Sequence, residues 1–130
     1  MVDEGALCLL SDANHTRAHF VPDMEAQQVR ADQPLVIQVA GTECLSASCD
    51  VDRKASCEAR LEGATIVVSS RLEWKSGDMS VCTSDCGSLA ATCATPPLPA
   101  GTYTVQFGSM PDRSIVIPST LTPACTGLRN

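Results

Sequence analysis

The chain has 130 residues, 44% of them hydrophobic, which suits one domain with a real core and is too apolar for a disordered segment. Its net charge of −6 arises in residues 1–62, where eleven acidic side chains meet five basic ones, while residues 63–130 hold four of each. An acidic chain without a basic stripe is unsuited to nucleic acid or to anionic membrane surfaces, so the charge reads as solubility.

The strand signals have period two. Residues 5–10 read as a first strand, followed by a loop over 11–25. Residues 26–30 and 34–40 read as two more strands, split by Ala31-Asp32-Gln33, and Gly41 closes the second. After a loop over 41–56, Ser56 to Leu61 alternates, with Cys57, Ala59 and Leu61 on one face. Glu62-Gly63-Ala64 is turn chemistry for a tight hairpin, with Gly63 supplying the bend. The run from Thr65 to Trp74 then places Ile66, Val68, Leu72 and Trp74 on one face, and Ser69, Arg71 and Glu73 on the other. Such a strand rests its apolar side on a core.

Residues 75–97 read as a loop with a short helical turn around Leu89 to Thr92. Pro99 to Gly101 is a turn, after which Tyr103, Val105 and Phe107 share a face opposite Thr102, Thr104 and Gln106. Ser109 to Arg113 turns again, and Ser114 to Pro118 closes a hairpin. About seven short strands with regularly spaced turn signals predict an all-β fold. We expect a single domain over 1–130, an Ig-like antiparallel β-sandwich. With one Trp, one Tyr and two Phe, its core must come from Val, Ile, Leu and Ala, and would gain from covalent staples.

Cys8, Cys44, Cys49, Cys57, Cys82, Cys86, Cys93 and Cys125 supply them. An even count in a short chain favours a disulfide framework formed in an oxidising, extracytoplasmic compartment. Zinc knuckles use Cys-x2-Cys pairs, whereas the close spacings here are Cys44-x4-Cys49 and Cys82-x3-Cys86. The pairing is not legible, because eight cysteines allow too many connectivities. Cys8 and Cys125 lie near opposite termini, so a bond from either would tie down an end. The start Met1-Val2-Asp3-Glu4 lacks the basic and apolar regions of an export signal, which leads us to expect that a targeting segment was removed and Met1 added.

Two segments carry a resemblance. Leu98-Pro99-Ala100-Gly101-Thr102-Tyr103-Thr104-Val105 and its following strand resemble the closing hairpin of bacterial Ig-like and fibronectin-like surface modules. Cys82-Thr83-Ser84-Asp85-Cys86-Gly87, then Cys93, Pro96-Pro97-Leu98 and the same Gly-Thr-Tyr-Thr segment, resemble cysteine-rich exported lipoproteins of predatory and social Gram-negative bacteria. The resemblance spans residues 44–120 and implies export, a β-sandwich and a lipid anchor upstream. It brings no functional residues with it.

Candidate sites are few. His15 and His19 have metal-ligand spacing for a helix, with Asp12 and Asp23 nearby in sequence, but the stretch has no helical period and Arg17 intervenes, so an exposed loop is the default. Asp50, Asp52 and Asp85 offer oxygen to calcium, yet Asp50-Val51-Asp52-Arg53-Lys54 departs from a calcium-loop pattern after two acids and reads as a solvated turn. Asp85 stays a binding candidate. So does Trp74, for which core packing is the favoured role and contact with a partner the other. No Gly-x-Ser-x-Gly elbow or phosphate loop occurs, and paired cysteines are not free to attack, so no enzymatic activity and no cofactor are expected.

The predicted function is an exported or surface-tethered binding or structural module of the cell envelope. Its partner would be a protein or cell-surface ligand, and any membrane attachment would run through the upstream anchor. Two alternatives remain: a small disulfide-rich inhibitor of an exported hydrolase, inserting the 82–97 loop, and a metal-binding protein using His15 and His19.

Overall fold

The computed structural model describes residues 2–11, 27–41, 50–76, 89–121 and 124–126, and the rest of the chain lies outside this account. These residues form ten strands in chain order: β1 (Ala6–Leu10), β2 (Gln27–Val29), β3 (Val36–Ala40), β4 (Asp50–Glu62), β5 (Thr65–Ser76), β6 (Ala90–Ala94), β7 (Gly101–Phe107), β8 (Arg113–Ile117), β9 (Ser119–Leu121) and β10 (Cys125–Thr126). One sheet has the order β10-β1-β3-β6, a second has β4-β5-β7-β8, and β2 and β9 form a two-stranded ribbon. The fold is an all-β, disulfide-stapled sandwich, as the alternation predicts.

The core lies between the two four-stranded sheets. Leu7, Leu9, Ile37, Val39 and Ala91 from the first meet Ile66, Val68, Leu72, Tyr103, Val105, Phe107, Ile115 and Ile117 from the second, with Val29 and Leu121 of the ribbon completing it. Aliphatic side chains dominate, as an aromatic-poor sequence requires. Strands β5, β7 and β8 are buried on one face only, which is why their alternation is so clear. Strands β1 and β3 differ: Cys8 and Leu10 are as buried as Leu7 and Leu9, and Gln38 and Ala40 as buried as Ile37 and Val39.

Tight turns follow the predicted chemistry. Glu62 pairs with Thr65, so Gly63 and Ala64 alone make the β4–β5 turn, with Gly63 at φ +62°. The Thr104 N–H donates to the Ala64 carbonyl at 2.9 Å, fixing the turn to β7. Between β3 and β6, Thr95 acts as a buried latch. Its hydroxyl accepts from the Leu35 N–H at 2.9 Å and donates to the Pro96 carbonyl at 2.8 Å. The Tyr103 hydroxyl likewise donates to the Pro99 carbonyl at 2.7 Å, satisfying the polar tip of a buried ring.

Several expectations need correction. Residues 89–92 were expected to form a helical turn, but Ala90–Ala94 is strand β6, paired residue for residue with Val36–Ala40. Alanine and threonine carry no decisive period, and the open edge of β3 decides the outcome. The predicted loop over 41–56 ends early, because β4 already begins at Asp50. The Asp50 to Lys54 segment is therefore strand with a bulge, not a solvated turn. The short strands β9 and β10 bring the count above seven among the described residues. Finally, β5 and β7 pair in parallel, from Thr65 opposite Thr104 to Val68 opposite Phe107, so the sheet is not wholly antiparallel. The chain leaves the second sheet after β5 and passes through β6 in the first before it returns, which supplies the crossover that a parallel pair demands.

Two disulfides staple the described residues. Cys8 and Cys125 are register partners on β1 and β10. Cys57 on β4 and Cys93 on β6 join the outer strands of the two opposed sheets. Such bonds belong to an oxidising, extracytoplasmic environment.

Candidate binding surface

Among the described residues, the β4–β5 hairpin presents a surface of closely spaced charged side chains. Its outward face carries Lys54, Ser56, Glu58, Arg60 and Glu62 on β4, and Ser69, Arg71, Glu73 and Lys75 on β5. Opposite charges alternate along it. Arg60 lies 3.7 Å from Glu62 and Arg71 3.3 Å from Glu73, both as solvated pairs that add little stability. On the inward face, Cys57, Ala59 and Leu61 are half-buried against the core.

The far end of the hairpin carries a bulge. Val51 faces Lys75 and Lys54 faces Glu73, so Asp52 and Arg53 together oppose Trp74. Asp52 takes φ +53°, a conformation that aspartate tolerates better than most residues, and its carboxylate lies 3.6 Å from the Lys75 ammonium. The twist opens a cleft of about 500 Å³ lined by Asp52, Lys54, Glu73, Trp74 and Lys75. Trp74 packs against the core, the favoured of the two roles considered for it, and it also lines the cleft.

A second feature was not anticipated. β7 ends at Phe107, opposite Val68, so β5 loses its partner on that side beyond this point. Asp3 takes over. Its N–H donates to the Ser70 carbonyl at 3.0 Å, and its carboxylate accepts from the Ser70 N–H at 2.7 Å. Asp3 sits at φ +52°, and a Cβ at Gly108 would collide with the Asp3 carbonyl oxygen, so the close approach depends on glycine there. The Asp3→Ala variant is expected to lose about 1.5 kcal/mol, because a backbone N–H loses a charged acceptor. Urea unfolding at pH 7 measures this, and an unchanged midpoint would show that the contact contributes nothing. Nothing local in the sequence marks this contact beyond the acidic pair Asp3-Glu4 ahead of the first strand.

The remaining candidates are placed as follows. Asp85, His15, His19, Asp12, Asp23, Cys44, Cys49, Cys82 and Cys86 lie outside the described residues. Cys8, Cys57, Cys93 and Cys125 are all disulfide-bonded. Part of the inserting loop foreseen over 82–97 is strand β6. Among the described residues, no group of three or more His, Cys, Asp or Glu side chains is gathered as metal ligands. Burial lowers the pKa of the Arg113 guanidinium, a displacement without effect near neutral pH, where arginine stays charged. No protein family, curated protein or solved structure matches the chain.

Proposed function

We propose that this chain is an exported or surface-tethered, non-catalytic binding or structural module of the cell envelope, built as an Ig-like sandwich. The observation that carries the reading is the Cys57–Cys93 bridge between outer strands of opposed sheets. Disulfides between opposed sheets are a device by which extracellular sandwich domains hold their sheets together, and here the bridge does so at the edge of the sandwich. The Cys8–Cys125 bridge adds to it by securing the strand nearest the C-terminus. The mixed-charge face and the Trp74 cleft favour recognition of a protein or surface ligand over chemistry on a small molecule. The resemblance to cysteine-rich bacterial lipoproteins accords with this reading and adds the upstream lipid anchor.

Intact mass of protein from its native source, with and without reduction and alkylation, tests the proposal together with metal analysis. All eight cysteines are expected to resist alkylation until reduced. Thiols that alkylate freely, with stoichiometric zinc retained, would overturn it.

A further inference from the structure

We propose that two copies of this chain join edge to edge through β4, about a two-fold axis at Ala59, so that the second sheet runs unbroken from one copy into the other. This deepens the reading of the domain as a binding module, rests on it, and names the partner as the chain itself.

The sheet edges are unequal. β8 is the outer strand on one side of the second sheet and spans only Arg113–Ile117, with Pro118 directly after it. Among the described residues, β4 is the outer strand on the other side, and it runs for 13 residues. Natural proteins blunt such edges with prolines, bulges or shortness, because a long outer strand offers a ladder of backbone donors and acceptors. β4 has a bulge only near its start, between Val51 and Lys54. From Lys54 to Glu62 it pairs with β5 without a break and contains neither proline nor glycine. The Cys57–Cys93 bridge anchors this stretch to the sheet beneath it, so the edge is a fixed template.

Charge then selects the occupant and the register. In an antiparallel pair that keeps both polar faces on one side, Lys54, Ser56, Glu58, Arg60 and Glu62 meet one another across the seam. Centring on Glu58 sets it against its own copy. Centring on Cys57 opposes Lys54 with Arg60, and centring on Arg60 opposes Glu58 with Glu62 and Arg60 with itself. A centre at Ser56 draws the bulge into the seam, and a centre at Leu61 runs at once into the Gly63 turn. With the axis at Ala59, Glu58 faces Arg60 of the second copy, and by symmetry the pair occurs twice. Ser56 faces Glu62, and no like charges oppose. On the inner face Ala59 meets Ala59 and Cys57 meets Leu61, so side chains left half-buried in one copy cover one another. The strand is complementary to itself in this register.

The test is sedimentation velocity of the oxidised protein over a wide concentration range, for the wild type, Glu58→Arg, Arg60→Glu and the double variant. Wild type is expected to show a reversible dimer that weakens with added salt. Each single variant places like charges opposite one another twice and is expected to weaken dimerisation roughly tenfold or more. The double variant restores opposite pairs and is expected to return to within about threefold of wild type. Both side chains are exposed, so circular dichroism should match throughout. Amide hydrogen exchange provides a measurement free of variants: protection of residues 55–62 should rise with concentration. A protein that stays monomeric at millimolar concentration, a dimer without protection of 55–62, or a double variant no better than the singles would each overturn the inference. An exported, fully oxidised monomer would leave the envelope-module reading intact, whereas freely alkylating thiols would remove that reading whatever the oligomeric state.

Discussion

Replacing Cys8 and Cys125 together by alanine is expected to lower the unfolding free energy by about 4–5 kcal/mol. The bridge spans a sequence separation of 117 residues, so it closes almost the whole chain into one loop. Its loss frees the unfolded ensemble more than that of the Cys57–Cys93 bridge, whose separation is 36. The folded state suffers as well. β10 holds only two residues, pairs with β1 at Leu7 and Cys8, and is aided by the Leu9 N–H bond to the Ala124 carbonyl at 2.9 Å. A strand that short frays when its covalent tie is cut, and frayed residues expose the small cluster of Cys8, Leu10, Ala124 and Cys125. Urea unfolding under non-reducing conditions reads the effect as a lower midpoint. A loss below about 1 kcal/mol would mean that the remaining covalent ties already confine the unfolded chain.

Leu9→Ala is expected to cost about 3 kcal/mol. Leu9 is fully buried in the main core, opposite Ile37 on β3. The strand that holds it is buried on both faces, so its backbone has little room to collapse into the space left behind. Val116→Ala serves as the control. Val116 is 52% exposed on the outward face of β8, and the change should stay within about 0.5 kcal/mol. Thermal and urea unfolding of the three proteins distinguish the outcomes, and equal losses in both variants would contradict the assignment of Leu9 to the core.

Which face of a strand is buried is most legible where the other face is wet. In β5, Ile66, Val68 and Leu72 are buried and Arg71 and Glu73 exposed, so the alternation written in the residues is the alternation of the fold. The same holds for Tyr103, Val105 and Phe107 on β7. β6 is not legible in this way, because Ala-Ala-Thr-Cys-Ala suits several local conformations and only the edge of β3 selects one. The first residues of β4 resemble a turn, because an outer strand with a bulge is as rich in charged residues as a turn is. Of the candidate surface, Trp74 was visible as a lone aromatic at a strand end. The Asp3 contact was not, since it joins residues 67 apart in the chain.

By itself the sequence determined the all-β class, the stapling by cysteine, the Gly63 hairpin and the buried faces of β5, β7 and the later part of β4. All of these follow from local rules: period-two patterning, turn chemistry and the chemistry of an even set of thiols. Tertiary structure alone decided that Cys8 joins Cys125 and Cys57 joins Cys93, that β5 and β7 run parallel, and that β4 becomes an outer strand. Each of these depends on which distant segments come to lie side by side. That choice is made by the burial of whole faces against one another, a property no single stretch of residues encodes.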